Sequence, residues 1–164
     1  MVRHFTTFAF LAALAGPVVA GGDFVKWGES GTWEILVDPA TGNGCLMQKR
    51  FKDGTLVQYG TLPERDGGFF ALYNSDWTDI PDGATGKVTF EFPEIRFVGE
   101  ALGIARDGRF GGYAFFDNPN VTREFARNND MTITGELGRV VEVNLKDTMK
   151  GVRAVKACQE EQSR

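Results

Sequence analysis

Asn74, Asp76, Trp77, Asp79 and Asp82 stand close together and make the densest run of oxygen donors in the chain. Carboxylates three apart in a loop could supply some of the roughly six to eight oxygens that Ca²⁺ takes. The run lacks the spacing of an EF-hand loop and its terminal bidentate Glu. Asp, Asn, Pro and Gly are also what an ordinary surface turn uses, so neither a metal nor another cofactor is expected. Within this run Trp77 lies beside Asp76, where an exposed indole could anchor a partner or stack on a sugar ring. The other reading packs Trp77 over a strand end. The candidate binding residues are therefore Trp77, Asp76 and Asp79, joined by Tyr113 from the aromatic group Phe110, Tyr113, Phe115 and Phe116.

Glu91, Glu94, Glu100 and Asp117 are acids next to predicted strands. Carboxylate catalysis would need two of them in one cleft at a separation of roughly 5–9 Å, and a solvated surface is the alternative. Other chemistry is poorly supplied. The one histidine is His4, within what reads as an export leader, so the mature domain would have no imidazole for a nucleophilic triad, a general base or a His-ligated zinc. The three serines, Ser30, Ser75 and Ser163, lie in no Gly-x-Ser-x-Gly turn. There is no P-loop, and Gly108-Arg-Phe-Gly-Gly lacks dinucleotide-binding spacing. The expectation is a binding or protein-interaction module and not an enzyme. The alternative is a carboxylate-dependent enzyme acting on cell-wall or other glycan.

The leader reading rests on Arg3 and His4 ahead of an apolar run over residues 8–15, then Gly16-Pro17 and the small residues Val18 and Ala20 before Gly21. That run is too short for a membrane span, which needs about 20 apolar residues, and no Cys follows it to take a lipid. Residues 1–20 are thus expected to be a cleavable signal peptide and residues 21–164 a single domain, periplasmic or secreted. Loss of Arg3 makes the net charge of −4 more negative, which argues against nucleic acid or an anionic membrane surface as partner. An envelope protein or a glycan remains. Cys45 and Cys158 are the only cysteines. An even count in an oxidising compartment favours one disulfide, with two buried free thiols as the alternative.

The elements that must position these residues are mostly strands. Trp33, Ile35 and Val37 alternate onto one face. Residues 45–51 and 56–59 read as a hairpin about Asp53-Gly54, and residues 68–73 as a strand ending at the Asn74 turn. In 87–92, Val88, Phe90 and Phe92 point inward while Thr89 and Glu91 point outward. Residues 96–104, 113–116, 131–134 and 139–145 continue the series. A helix is predicted over 118–127, with Pro119 in its first turn and Val121 and Phe125 inward. A second runs from an N-cap at Asp147-Thr148 to about 161, with Met149, Val152, Val155 and Cys158 as its core stripe. Packed on a β core, that helix would bring Cys158 toward the strand of Cys45. The segments Gly67-Gly-Phe-Phe-Ala-Leu-Tyr-Asn74 and Gly111-Gly-Tyr-Ala-Phe-Phe-Asp-Asn118 echo each other, as two similar strands entering one core. The predicted class is mainly β: an antiparallel β-sandwich or partly open barrel with two short helices, one C-terminal.

The layout resembles the invasion-associated locus B-like family of exported bacterial proteins, or a sibling family of periplasmic proteins. The similarity is carried by Gly31-x-Trp33, by Gly44-Cys45-Leu46-x-Gln48 opening the next strand, and by a terminal strand 141–145 leading into a helix with Ala154, Val155, Ala157 and Cys158. Asp38 stands where such chains often have a further cysteine, and the central cysteine pair is missing. The resemblance implies a β-sandwich-like envelope protein without known enzymatic chemistry.

Overall fold

The structure is a computed structural model that describes residues 23–106 and 108–164. The leader expected over residues 1–20 lies outside the described residues. Among the described residues ten antiparallel strands form one sheet: β1 (Val25–Ser30), β2 (Trp33–Asp38), β3 (Gly44–Arg50), β4 (Leu56–Leu62), β5 (Arg65–Asn74), β6 (Thr85–Glu91), β7 (Arg96–Arg106), β8 (Arg109–Phe116), β9 (Asp130–Gly135) and β10 (Val140–Asn144). Two helices follow β8 and β10, namely α1 (Pro119–Arg127) and α2 (Thr148–Gln162). The mainly β class with a C-terminal helix is as the alternation predicts, and the sheet is open. At one corner its two ends draw together, because the Lys146 carbonyl accepts hydrogen bonds from Thr32 Oγ1 (3.2 Å) and Trp33 Nε1 (3.1 Å).

The strand order is β1-β2-β3-β4-β5-β8-β7-β6-β9-β10. The first five strands form a simple meander. The chain then leaves β5 and enters β6, skipping the places that β8 and β7 later fill. Residues 75–84 must therefore cross the ends of those two strands, and this crossing creates the site described below.

Local chemistry explains the turns. In the β3–β4 hairpin Gly54 takes a positive φ of 86°, a conformation that costs glycine little. Asp53 does not share it; its carboxylate accepts from Thr55 N–H (3.0 Å) and Thr55 Oγ1 (2.9 Å). The two echoing segments turn out to be hydrogen-bonded neighbours, β5 with β8, with Phe70 opposite Ala114 and Tyr73 opposite Gly111. The first glycine of the second doublet serves close approach: a Cβ on Gly111 would lie 1.8 Å from the Leu72 carbonyl oxygen.

Helix α1 is capped by Asn118, whose side chain accepts from Asn120 N–H (3.0 Å). Asp147 precedes α2 but does not cap it as expected. It sits at φ 65°, and its carboxylate pairs instead with Lys150 Nζ at 2.9 Å. The core stripe of α2 also differs from the expected one: Thr148, Gly151, Val155 and Cys158 are buried, whereas Met149 is exposed. Gly151 accounts for the shift, because its bare Cα lets the helix settle against Met47 and Trp33. The inner face of β2–β4 is filled by Trp33, Ile35, Met47, Val57 and Tyr59, with Phe125 of α1 and Val155 of α2 packed on them. Cys45 and Cys158 are both fully buried and bonded, joining β3 to α2 across 113 residues of chain. The outer face is apolar as well, since Leu36, Leu46, Phe69 and Ala71 form a second buried group. Strand β2 is therefore buried on both faces, which the Trp33/Ile35/Val37 alternation alone does not predict.

Candidate functional site: an apolar cleft under the 75–84 crossing

Helix α2 lies over the β1–β4 half of the sheet, and α1 packs beside it with Phe125 against Trp33, Tyr59 and Phe70. Over the other half, on the same inner face, is a cleft of about 620 Å³, within the usual range for small-molecule sites. It exists because of what the strands lack. Ala101 and Gly103 on β7, and Gly112 and Ala114 on β8, face it with nothing larger than a methyl group. Gly103 and Gly112 are directly opposite each other, and Gly112 is also opposite Leu72. Phe70 and Leu72 of β5 form one wall, and Val88 and Phe90 of β6 the other. Ile133 and Val141 extend the lining from β9 and β10.

The crossing forms the roof at one end. Gly83 N–H donates to the Gly103 carbonyl (2.9 Å), and Gly103 N–H donates to the Ala84 carbonyl (2.6 Å). The Asp82 carboxylate accepts from Ala105 N–H at 2.9 Å. These bonds bring Pro81 and Ile80 down onto Gly103, where a Cβ would stand 2.4 Å from the Pro81 oxygen. At Gly112 the space is open, with no atom nearer than 3.7 Å to an added Cβ.

Trp77 belongs to this roof. The exposed anchor considered for it is not what the structure shows: Trp77 is 9% exposed and packs into the inner core. A loop that crosses strand ends must cover their apolar side chains, and the indole does this. The Arg139 guanidinium lies 5.3 Å from its ring centroid and is paired with the Asp79 carboxylate. Asp79 and Arg139 thus stand at the cleft mouth with Glu136, whose carboxylate accepts from Lys87 N–H.

Of the four sequence-predicted binding residues, only Trp77 and Asp79 line the cleft. Asp76 is exposed on the turn itself, where its N–H donates to Asn74 Oδ1 (2.9 Å). Tyr113 is on the opposite sheet face, its ring 5.3 Å from that of Phe69. Burial pushes its hydroxyl pKa up, opposed by the nearby Arg65 charge. The acidic run is likewise divided, with Asp76, Asp79 and Asp82 each facing a different partner. Among the described residues no three His, Cys, Asp or Glu side chains converge as a metal site would require. Glu91, Glu94, Glu100 and Asp117 are all exposed, and none of them lines the cleft.

Fold and site together define an open antiparallel β domain, closed by helices on one half and hollow on the other. No protein-family model matches the chain, and no curated protein matches it in sequence. Among solved structures, invasion associated protein B from Bartonella henselae is similar in fold, with a TM-score of 0.58 and 12% sequence identity over 80% of this chain and 96% of that one. At that identity the likeness is one of fold, and the family resemblance drawn from the sequence holds at that level.

Proposed function

We propose that this chain is an exported binding module of the bacterial envelope, periplasmic or secreted, and that it holds an apolar small molecule in the cleft. One observation carries this reading: four inward positions on β7 and β8 are Gly or Ala, under walls of Phe, Leu and Val. A core under no other demand fills such positions, since interiors pack to the density of organic crystals. A binding role is favoured over a catalytic one because Asp79 and Glu136, the acids at the mouth, are already engaged by Arg139 and by Lys87 N–H. A glycan fits the inner part of the cleft poorly, because its hydroxyls would lose water there against Phe, Leu, Val, Ala and Gly.

The test is titration of the purified protein with Nile red. Saturable fluorescence enhancement at one dye per chain, with a rise in Tm by mass action, is the expected result. Enhancement that never saturates, or that leaves Tm unchanged, would overturn the reading.

A further inference from the structure

We infer that the ligand of the cleft is a rigid, flat, fused-ring hydrocarbon body and not a flexible acyl chain; this rests on the apolar-ligand reading above. The argument begins with the shape of the bare surface. Inward from Phe70 on β5 the bare row runs through Ala114 on β8, Ala101 on β7 and Gly86 on β6, with Gly112 one step along β8 and Gly103 already covered by Pro81. With strands about 4.8 Å apart, the shelf is about 10 Å across, and one step between same-face residues makes it about 7 Å long. Those are the proportions of a fused ring system of three or four rings. An extended acyl chain is far narrower and would leave much of such a shelf uncovered.

The walls and floor point the same way. Over strands whose inward side chains are hydrogen or methyl, a broad, thin ring system covers more of the bare backbone than a narrow chain does. Phe70, Phe90 and Trp77 stand around the shelf, and aromatic rings favour offset-stacked or edge-to-face contact with other rings. Among the described residues no buried side-chain nitrogen or oxygen lacks a hydrogen-bond partner. The interior therefore has no polar side-chain group waiting for one on the ligand body. A polar substituent would sit at the mouth, where Asp79, Glu136 and Arg139 are. A rigid ligand also gives up less conformational entropy on binding than a chain with many free rotors.

The experiment sets pyrene against dodecanoate. Pyrene binding is read by energy transfer from tryptophan and by its own vibronic band ratio, and dodecanoate is added as competitor. Pyrene should saturate at one site, about tenfold or more tighter than the flexible acid. Gly112→Val should abolish the transfer, because its side chain would rise from the shelf, where a Cβ meets nothing nearer than 3.7 Å. Should that variant fold poorly, Ala101→Ile tests the neighbouring strand. Leu102→Ser, an exposed site on the other face, should leave pyrene affinity unchanged. Equal or tighter binding of dodecanoate would overturn the flat-ligand inference and leave the apolar-ligand reading standing. No binding of pyrene, dodecanoate or Nile red would remove both. Pyrene binding that survives both shelf variants but falls with Leu102→Ser would place it on the outer face and overturn the inference.

Discussion

Between β2 and β4 the inner face of the sheet carries Trp33, Ile35, Met47, Val57 and Tyr59, and helix α2 lies on it with α1 packed beside. Between β8 and β7 the same face carries Ala101, Gly103, Gly112 and Ala114, and a loop stands where a helix would. The two regions share one hydrogen-bonded sheet, so the backbone does not account for the difference. Side-chain volume does. In the first region large residues, a helix pair and a disulfide fill the concavity; in the second, small residues leave it hollow. One half thus supplies rigidity, and the other can afford a vacancy.

The largest test of this division is the disulfide. Cys158→Ser should lower stability by about 4–5 kcal/mol on the chain-entropy model for a loop of this length, read from urea unfolding as a lower midpoint with a higher m-value, because the uncrosslinked denatured chain exposes more surface. A loss under about 1 kcal/mol would show that α2 holds to β3 by packing alone. Next comes Trp77→Ala, which should cost about 3 kcal/mol. That is the lower end for a buried aromatic, because the neighbouring hollow leaves the indole fewer contacts to lose. A cost near zero would mean that the roof is not part of the folded core. The smallest and sharpest test is a pair of glycine substitutions. Gly151→Val drives a side chain into Met47 Sδ, 2.7 Å from its Cβ position, and should cost about 1–3 kcal/mol by overpacking. Gly112→Val enters open space and should change stability by no more than about 0.5 kcal/mol. Equal costs in thermal melts would erase the distinction between the filled and the hollow half.

How much of this could be read from the chain follows from which residues carry the signal. Strands with large inward residues, such as Val88, Phe90 and Phe92, were plain from alternation, and all three are buried. The pairing of Cys45 with Cys158 followed from a C-terminal helix laid on the β core, and the bond is present. Strand β1 is hidden, because VKWGES has no clean alternation and its register shifts between Lys26 and Gly28. Strand β7 misleads on its faces: two of its large aliphatics, Val98 and Leu102, are exposed, whereas Ala101 and Gly103 face the cleft. Hydrophobicity ranks residues by size, and a hollow is made of small ones, so the site was invisible to that ranking. A period-two run of small residues at 99, 101 and 103, facing an aromatic-rich strand, is the signal that could have revealed it. For Trp77 the sequence leaves an exposed anchor and a plug over a strand end both open, because composition marks residues 74–83 as a turn. Only the strand order shows what that turn must cover, and the structure has the plug.

The bond between Cys45 and Cys158 also decides how the molecule would respond to being pulled. Tension applied between residue 23 and the C-terminus enters β3 and leaves through α2 at the sulfur–sulfur link, so the 113-residue span between them carries no load. At about 3.4 Å per extended residue, roughly 380 Å of contour length stays hidden until the link is reduced. Strands β4 to β10, the cleft and its roof all lie within that span. Under oxidising conditions the hollow half of the sheet is therefore mechanically silent, and only the first two strands and the last residues can be drawn out.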